Sequence, residues 1–155
     1  MPNWMSGTLR IRGNPSNIEN FFLCGLGQPA GKYENTPMPE LMECFKDEDD
    51  YYIDFKTELY IKGTKRAFID DDCAEFIPNE EITVACVNVK QAWDLRPNEW
   101  QKIAKKYNVD LRLWACDSSG HEARELEIIQ GCITQFRKVK YKNWEWECPT
   151  PKLGG

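Results

Sequence analysis

The chain's only histidine, His121, stands five residues after Cys116 and close to Asp117 and Ser119. A thiol beside an imidazole is the arrangement that makes a nucleophile, because the base takes the proton and leaves a thiolate. Nearness in sequence is not that geometry, however. Asp117-Ser118-Ser119-Gly120 has the composition of a tight turn, and a turn histidine is ordinarily just exposed. A lone histidine also supplies no His pair for a metal site. The seven cysteines (Cys24, Cys44, Cys73, Cys86, Cys116, Cys132 and Cys148) are separated by 13 residues or more, so no Cys-x-x-Cys pair exists for structural zinc. Their odd number, with no apolar leader after Met1-Pro2-Asn3-Trp4, implies reduced thiols packed as small hydrophobes in a cytoplasmic protein. Gly25-Leu26-Gly27 with Gly31 follows a helical pattern, not a strand, and no Gly-Lys-Ser/Thr comes after it, so it is not a phosphate loop. The expectation is a protein that is not an enzyme and carries no cofactor and no metal.

Binding chemistry is better represented. The net charge is −5, but residues 40–81 hold 14 acids against 5 bases, a net of −9, while residues 1–39 net +1 and residues 82–155 net +3. Two runs concentrate the acids: Asp47, Glu48, Asp49, Asp50 and then Asp70, Asp71, Asp72. The EF-hand pattern is absent, and contiguous like charges must be solvated or face a basic partner. These residues are candidates for docking a host protein with a basic surface. Near the other end, Phe136, Arg137, Lys138, Lys140, Tyr141, Lys142, Trp144 and Trp146 interleave bases with rings. That is what a single-stranded nucleic-acid binder presents on a strand; an edge strand guarded by lysines has the same composition. Pro2-Asn3-Trp4 is a third candidate, with packing of Trp4 over the sheet as its plainer explanation.

The elements that must position these residues follow from periodicity. Thr8 to Arg12 alternates between two glycines as a half-buried strand with Leu9 and Ile11 inward. A helix follows, capped by Ser16 with Glu19 or by Asn14 ahead of Pro15, with Ile18, Phe21 and Phe22 as its buried stripe. Residues 39–45 suggest a short helix, Tyr51–Ile61 and Arg66–Ile69 suggest strands about a turn at 62–65, and 70–79 suggests an exposed loop. Ile82–Val89 is a strand. Pro97 starts a helix burying Trp100, Ile103, Ala104 and Tyr107, which Asn108 ends. Val109–Ala115 is a strand, then a second around Leu126 closing at Gly131, then a long strand or hairpin through Ile133 to Trp146. The Pro/Gly tail, 149–155, is unstructured unless it docks.

The segment Pro2-Asn3-Trp4 with Thr8-Leu9-Arg10-Ile11-Arg12-Gly13, and the segment Ala92-Trp93-Asp94-Leu95-Arg96-Pro97 leading to Trp100 and Ala104-Lys105-Lys106-Tyr107, resemble the YubB-like ferredoxin-like domain family of phages and plasmids. Met5, Ser6 and Gly7 stand where such proteins commonly carry a Cys and an Asn, and the acidic middle has no counterpart. The expected fold is therefore α+β, one domain over residues 1–155. It would be a ferredoxin-like sandwich with a mainly antiparallel sheet, two helices on one face, extra strands, and an acidic insertion at about 40–81. The resemblance implies a mobile-element accessory protein; together with the acidic segment it points to a host protein as partner, and the lack of any run of about 18 apolar residues points to no membrane association. An anti-CRISPR-like inhibitor of a host defence or nucleic-acid-processing system is the leading expectation. A weak single-stranded nucleic-acid (RNA or ssDNA) binding module is the alternative.

Overall fold

The computed structural model describes residues 2–153. Its backbone is α+β: a large antiparallel sheet, a small one, and two substantial helices.

The frame is laid down by the strand β1 (Trp4–Gly13), whose even positions face one way and odd positions the other. Met5, Leu9 and Ile11 are buried on the helical side. Position 7 is on that side too by alternation, and it is glycine because a Cβ there would lie 1.8 Å from the main-chain oxygen of Trp114 on the next strand. Helix α1 (Pro15–Gly25) follows at once. Asn14 rather than Ser16 caps it: the Asn14 Oδ1 accepts from the Ser16 N–H at 2.9 Å, and Pro15 occupies the first turn, where its missing N–H costs nothing. Ile18, Phe21 and Phe22 are its buried stripe, as their spacing requires.

After β2 (Leu26–Gly27) comes a short α2 (Met38–Leu41), then β3 (Met42–Lys46) and β4 (Tyr51–Phe55). The expected helix at 39–45 ends early because Met42–Lys46 pairs with β4, from Met42 opposite Phe55 to Lys46 opposite Tyr51. Likewise the expected strand at 51–61 is two, β4 and β5 (Tyr60–Ile61), which go to different sheets. Next come β6 (Ala67–Ile69) and β7 (Cys73–Phe76), the latter within the span that reads as a loop in sequence. Its four residues alternate outward and inward, with Ala74 and Phe76 buried, but such a run is too short to stand out from its acidic flanks.

The second half matches its periodicity more closely. Strand β8 (Thr83–Ala92) leads to α3 (Pro97–Tyr107), which ends at Asn108 in the left-handed region with φ 51°. Then follow β9 (Asp110–Asp117), β10 (Glu122–Ile129), β11 (Cys132–Lys140) and the single turn α4 (Trp144–Glu147). The last strand stops at Lys140, short of Trp146. Asn143 then starts the turn, its side chain accepting from the Trp146 N–H.

The large sheet runs in the order β11-β10-β9-β1-β8-β6-β5-β2, and every paired neighbour is antiparallel. β1 is central, paired along its whole length with β8 and over seven residues with β9. α1 and α3 pack on one face, where Tyr107 meets Phe21 edge-on. The small sheet, β3-β4-β7, joins the same core through Phe22, which lies against Phe55 and Phe76. The other face of the large sheet carries no α1 or α3 packing. No helix among the described residues is long and apolar enough to cross a membrane.

Candidate functional site

The Cys116–His121 arrangement does not form a nucleophile. Cys116 is fully buried, and its thiol is pushed up to about 12 by that burial and then by the neighbouring Cys148. His121 instead stacks on the Trp144 ring, centroids 5.7 Å apart. Among the described residues no three His, Cys, Asp or Glu side chains gather as a metal-ligating group.

The acidic residues divide into two groups. β4 and β7 run antiparallel, Tyr51 opposite Phe76 and Asp54 opposite Cys73, so Asp47–Asp50 and Asp70–Asp72 sit at opposite ends of a five-residue strand. That puts them about 17 Å apart, at roughly 3.4 Å per residue. Asp47 is spent on its own turn, its Oδ1 accepting from the N–H groups of Asp49 and Asp50. Asp50 turns partly inward beside Glu75, whose carboxyl is held above the usual carboxylate range by a hydrogen bond with Asp50. Glu48 and Asp49 are exposed at the tip.

At the other end the acids converge. Glu58, Asp70, Asp71 and Asp72, with Phe55, Lys56 and Thr57, line a cleft of about 260 Å³. Three of the four are partly committed: the Asp71 Oδ2 accepts from the Asn88 N–H at 3.0 Å, Asp70 pairs with Lys90 at 3.4 Å, and Glu58 pairs with the same ammonium. Lys56 is held by Asp54 and, at 3.8 Å, by Glu43. The cleft is therefore rich in carboxylates and poor in free cations.

The basic and aromatic residues of the C-terminal region do not share a face. β11 is the edge strand, so Phe136, Lys138 and Lys140 point one way and Arg137 the other. Arg137 is ion-paired to Glu125. Trp144 is only 9% exposed: it packs with Cys116, Ala123 and Cys148, and its indole N–H donates to the Pro151 carbonyl at 2.8 Å. Tyr141 leans edge-on against it. Lys142 is exposed, and Trp146 is 86% exposed. The tail is thus docked as far as Leu153, whose carbonyl accepts from Cys116 Sγ at 3.6 Å; Gly154 and Gly155 lie outside the described residues.

A further cluster joins two stretches that are remote in sequence. Trp4 and Lys90 face outward on adjacent strands, and beyond them on the same face lie Phe68 on β6 and Tyr60 on β5. Arg66 sits with its guanidinium 5.6 Å from the Trp4 ring and 5.3 Å from the ring of Trp93, which is 48% exposed. Both Arg66 (φ 60°) and Trp93 (φ 69°) occupy the left-handed region, which costs a non-glycine residue on the order of 1–2 kcal/mol. The backbone is held there by its neighbours. The Ala92 N–H donates to Arg66 O, and the Glu99 Oε2 accepts from both the Lys65 N–H and the Gln91 amide. Asp94 is gripped by Arg124 at 3.0 Å. Lys90 links this cluster to the acidic cleft: its ammonium lies 5.2 Å from the Trp4 ring while pairing with Glu58 and Asp70. In sequence only Trp4 and Trp93 mark the place. Arg66 carries no local signal, because its role comes from strand order.

Compared with known proteins, the chain matches no family model, no curated protein and no solved structure.

Proposed function

We propose that this chain is a non-enzymatic accessory protein of the phage and plasmid type, built on a ferredoxin-like frame, that binds a host protein bearing a basic surface. Inhibition of a defence or nucleic-acid-processing system is the role such binding would serve. The frame reading is supported by the sequence β1-α1-β6-β8-α3-β9 with spatial order β9-β1-β8-β6, two interleaved strand–helix–strand crossovers with both helices on one face. On that reading β10 and β11 extend one edge, and residues 28–66 with the small sheet are insertions.

The observation that carries the binding reading is the contact between the carboxylate cleft and the Trp4–Arg66–Trp93 cluster through Lys90. Exposed Trp and Arg are the residue types that anchor interfaces, and an acidic rim steers and selects a basic partner. Backbone strain kept at Trp93 and Arg66 is typical of sites retained for binding. Asp71 is a poor test position because its carboxylate accepts a main-chain N–H. Asp72→Lys and Trp93→Ala are better, since both side chains are exposed. In a nuclease-treated bacterial lysate, the wild-type chain should retain a stoichiometric protein partner, and each variant should lose it. Retention by both variants, or a partner lost on nuclease treatment, defeats the reading.

A further inference from the structure

The open face of the large sheet carries a second surface of opposite character, at the end of β1 away from Trp4. Residues paired across strands point to the same side, so the register places side chains in rows. One row reads Cys86, Arg10, Arg112, Glu127, Gln135 from β8 to β11, and the next reads Asn88, Thr8, Trp114, Glu125, Arg137. Arg10 and Arg112 are thus directly opposite one another in the middle of the sheet, and both are exposed.

Like charges in that relation destabilise a sheet. Elsewhere on this sheet each arginine is neutralised: Arg12 by Asp110 at 2.7 Å, Arg124 by Asp94 and Glu122, Arg137 by Glu125. Among the described residues Arg10 and Arg112 have no carboxylate within 4 Å. Glu127 stands in register beside Arg112, but its carboxylate accepts the Thr134 hydroxyl at 2.9 Å instead. Two grooves meet over the pair. One, of about 320 Å³, runs past Thr8 and Trp114 to Pro149 and Thr150; the other, of about 380 Å³, runs past Arg12, Val84 and Ile129.

From this we infer that the Arg10–Arg112 pair is a phosphodiester site for single-stranded nucleic acid lying along the open sheet face. Two guanidinium groups side by side match the oxygens of one phosphate, and an anion between them removes their repulsion. Grooves leaving in both directions suit a polymer that continues past the pair better than a small anion. A ring on one side and aliphatic groups on the other offer surfaces for unpaired bases. This site does not depend on the acidic cleft, whose carboxylates hold Lys90 at the far end of the same face.

The test is fluorescence anisotropy with labelled 12-nucleotide single-stranded DNA and RNA over a salt series. The double variant Arg10→Gln with Arg112→Gln should bind at least tenfold more weakly. Its slope of log affinity against log salt should be shallower by about 0.7, the contribution of the one phosphate that the pair holds. Lys102→Gln, which removes an exposed charge from α3 behind the other face of the sheet, should bind like wild type. Without ligand, the double variant should melt at or above the wild-type temperature, because a repulsion is gone. Absence of binding by wild type at low salt overturns the inference. So does unchanged binding by the double variant, equal affinity for duplex DNA or polyglutamate, or a double variant less stable than wild type.

Discussion

The main-chain N–H of Trp93 donates to the carbonyl of Asn3 at 2.6 Å. The Asp94 N–H donates in turn to Ala92 O at 3.0 Å, closing a γ-turn with Trp93 at its centre and φ at 69°. A γ-turn of this hand is strained for any residue with a Cβ. The segments Pro2-Asn3-Trp4 and Ala92-Trp93-Asp94, remote in sequence, are therefore one structural unit. Their joint role is to hold a half-exposed tryptophan over Arg66.

A comparison of Trp93→Gly with Trp93→Ala isolates that strain. Both variants lose the ring, but only glycine adopts the turn without cost. In urea denaturation the glycine variant should be the more stable of the two by about 1 kcal/mol, the reverse of the usual order in regular structure. An alanine variant equal to or more stable than the glycine one would show that the turn holds no strain.

Much of the fold is legible in sequence wherever a run is long enough to show its period. β1, α1, β8, α3 and β9 all follow from alternation, from the spacing of Trp100, Ile103, Ala104 and Tyr107, or from the Asn14-Pro15 start and Asn108 stop. Between residues 38 and 76 the expected strands at 51–61 and 66–69 hold β4, β5 and β6, but β3, β7 and the break between β4 and β5 are not legible. Strands of two to five residues carry too few side chains to display a period, and whether β5 joins the large or the small sheet depends on long-range pairing. For the same reason the acids of 40–81 read as one segment in sequence but stand as two groups in space, and the Arg10–Arg112 relation is set by register alone.

Trp144 and Trp146 look equivalent in sequence and differ sharply in place. Trp144 fills the small cluster with Cys116, Ala123 and Cys148 and anchors the tail through Pro151, whereas Trp146 projects from α4. Trp144→Ala should cost about 3 kcal/mol, the lower end for emptying a buried tryptophan site. It should also expose Cys116, buried in wild type, to alkylation under native conditions. Trp146→Ala should change stability by no more than about 0.5 kcal/mol, as surface substitutions do. Denaturant unfolding with thiol labelling read by mass spectrometry checks both. Equal effects from the two would mean that the C-terminal segment is not docked.

Glu75 and Asp50 give the acidic tip a pH response. The Asp50 Oδ1 is buried and has no donor. Glu75 hydrogen-bonds the Asp50 carboxylate, and that bond, followed by the charge of Asp50, raises the Glu75 carboxyl above its ordinary value. The folded chain thus holds a proton on Glu75 more firmly than the unfolded chain does. The resulting stabilisation is fully present below the unfolded value of 4.5 and is lost as pH rises through the raised value. Glu75→Gln puts a permanent donor where the proton would be. The variant should melt slightly above wild type at neutral pH, and the difference should vanish as the pH is lowered to about 4, where wild-type Glu75 is itself protonated. Melting curves of both chains across that range decide it: a gap that does not change with pH, or a variant less stable at neutral pH, would mean that the two carboxylates do not share a proton.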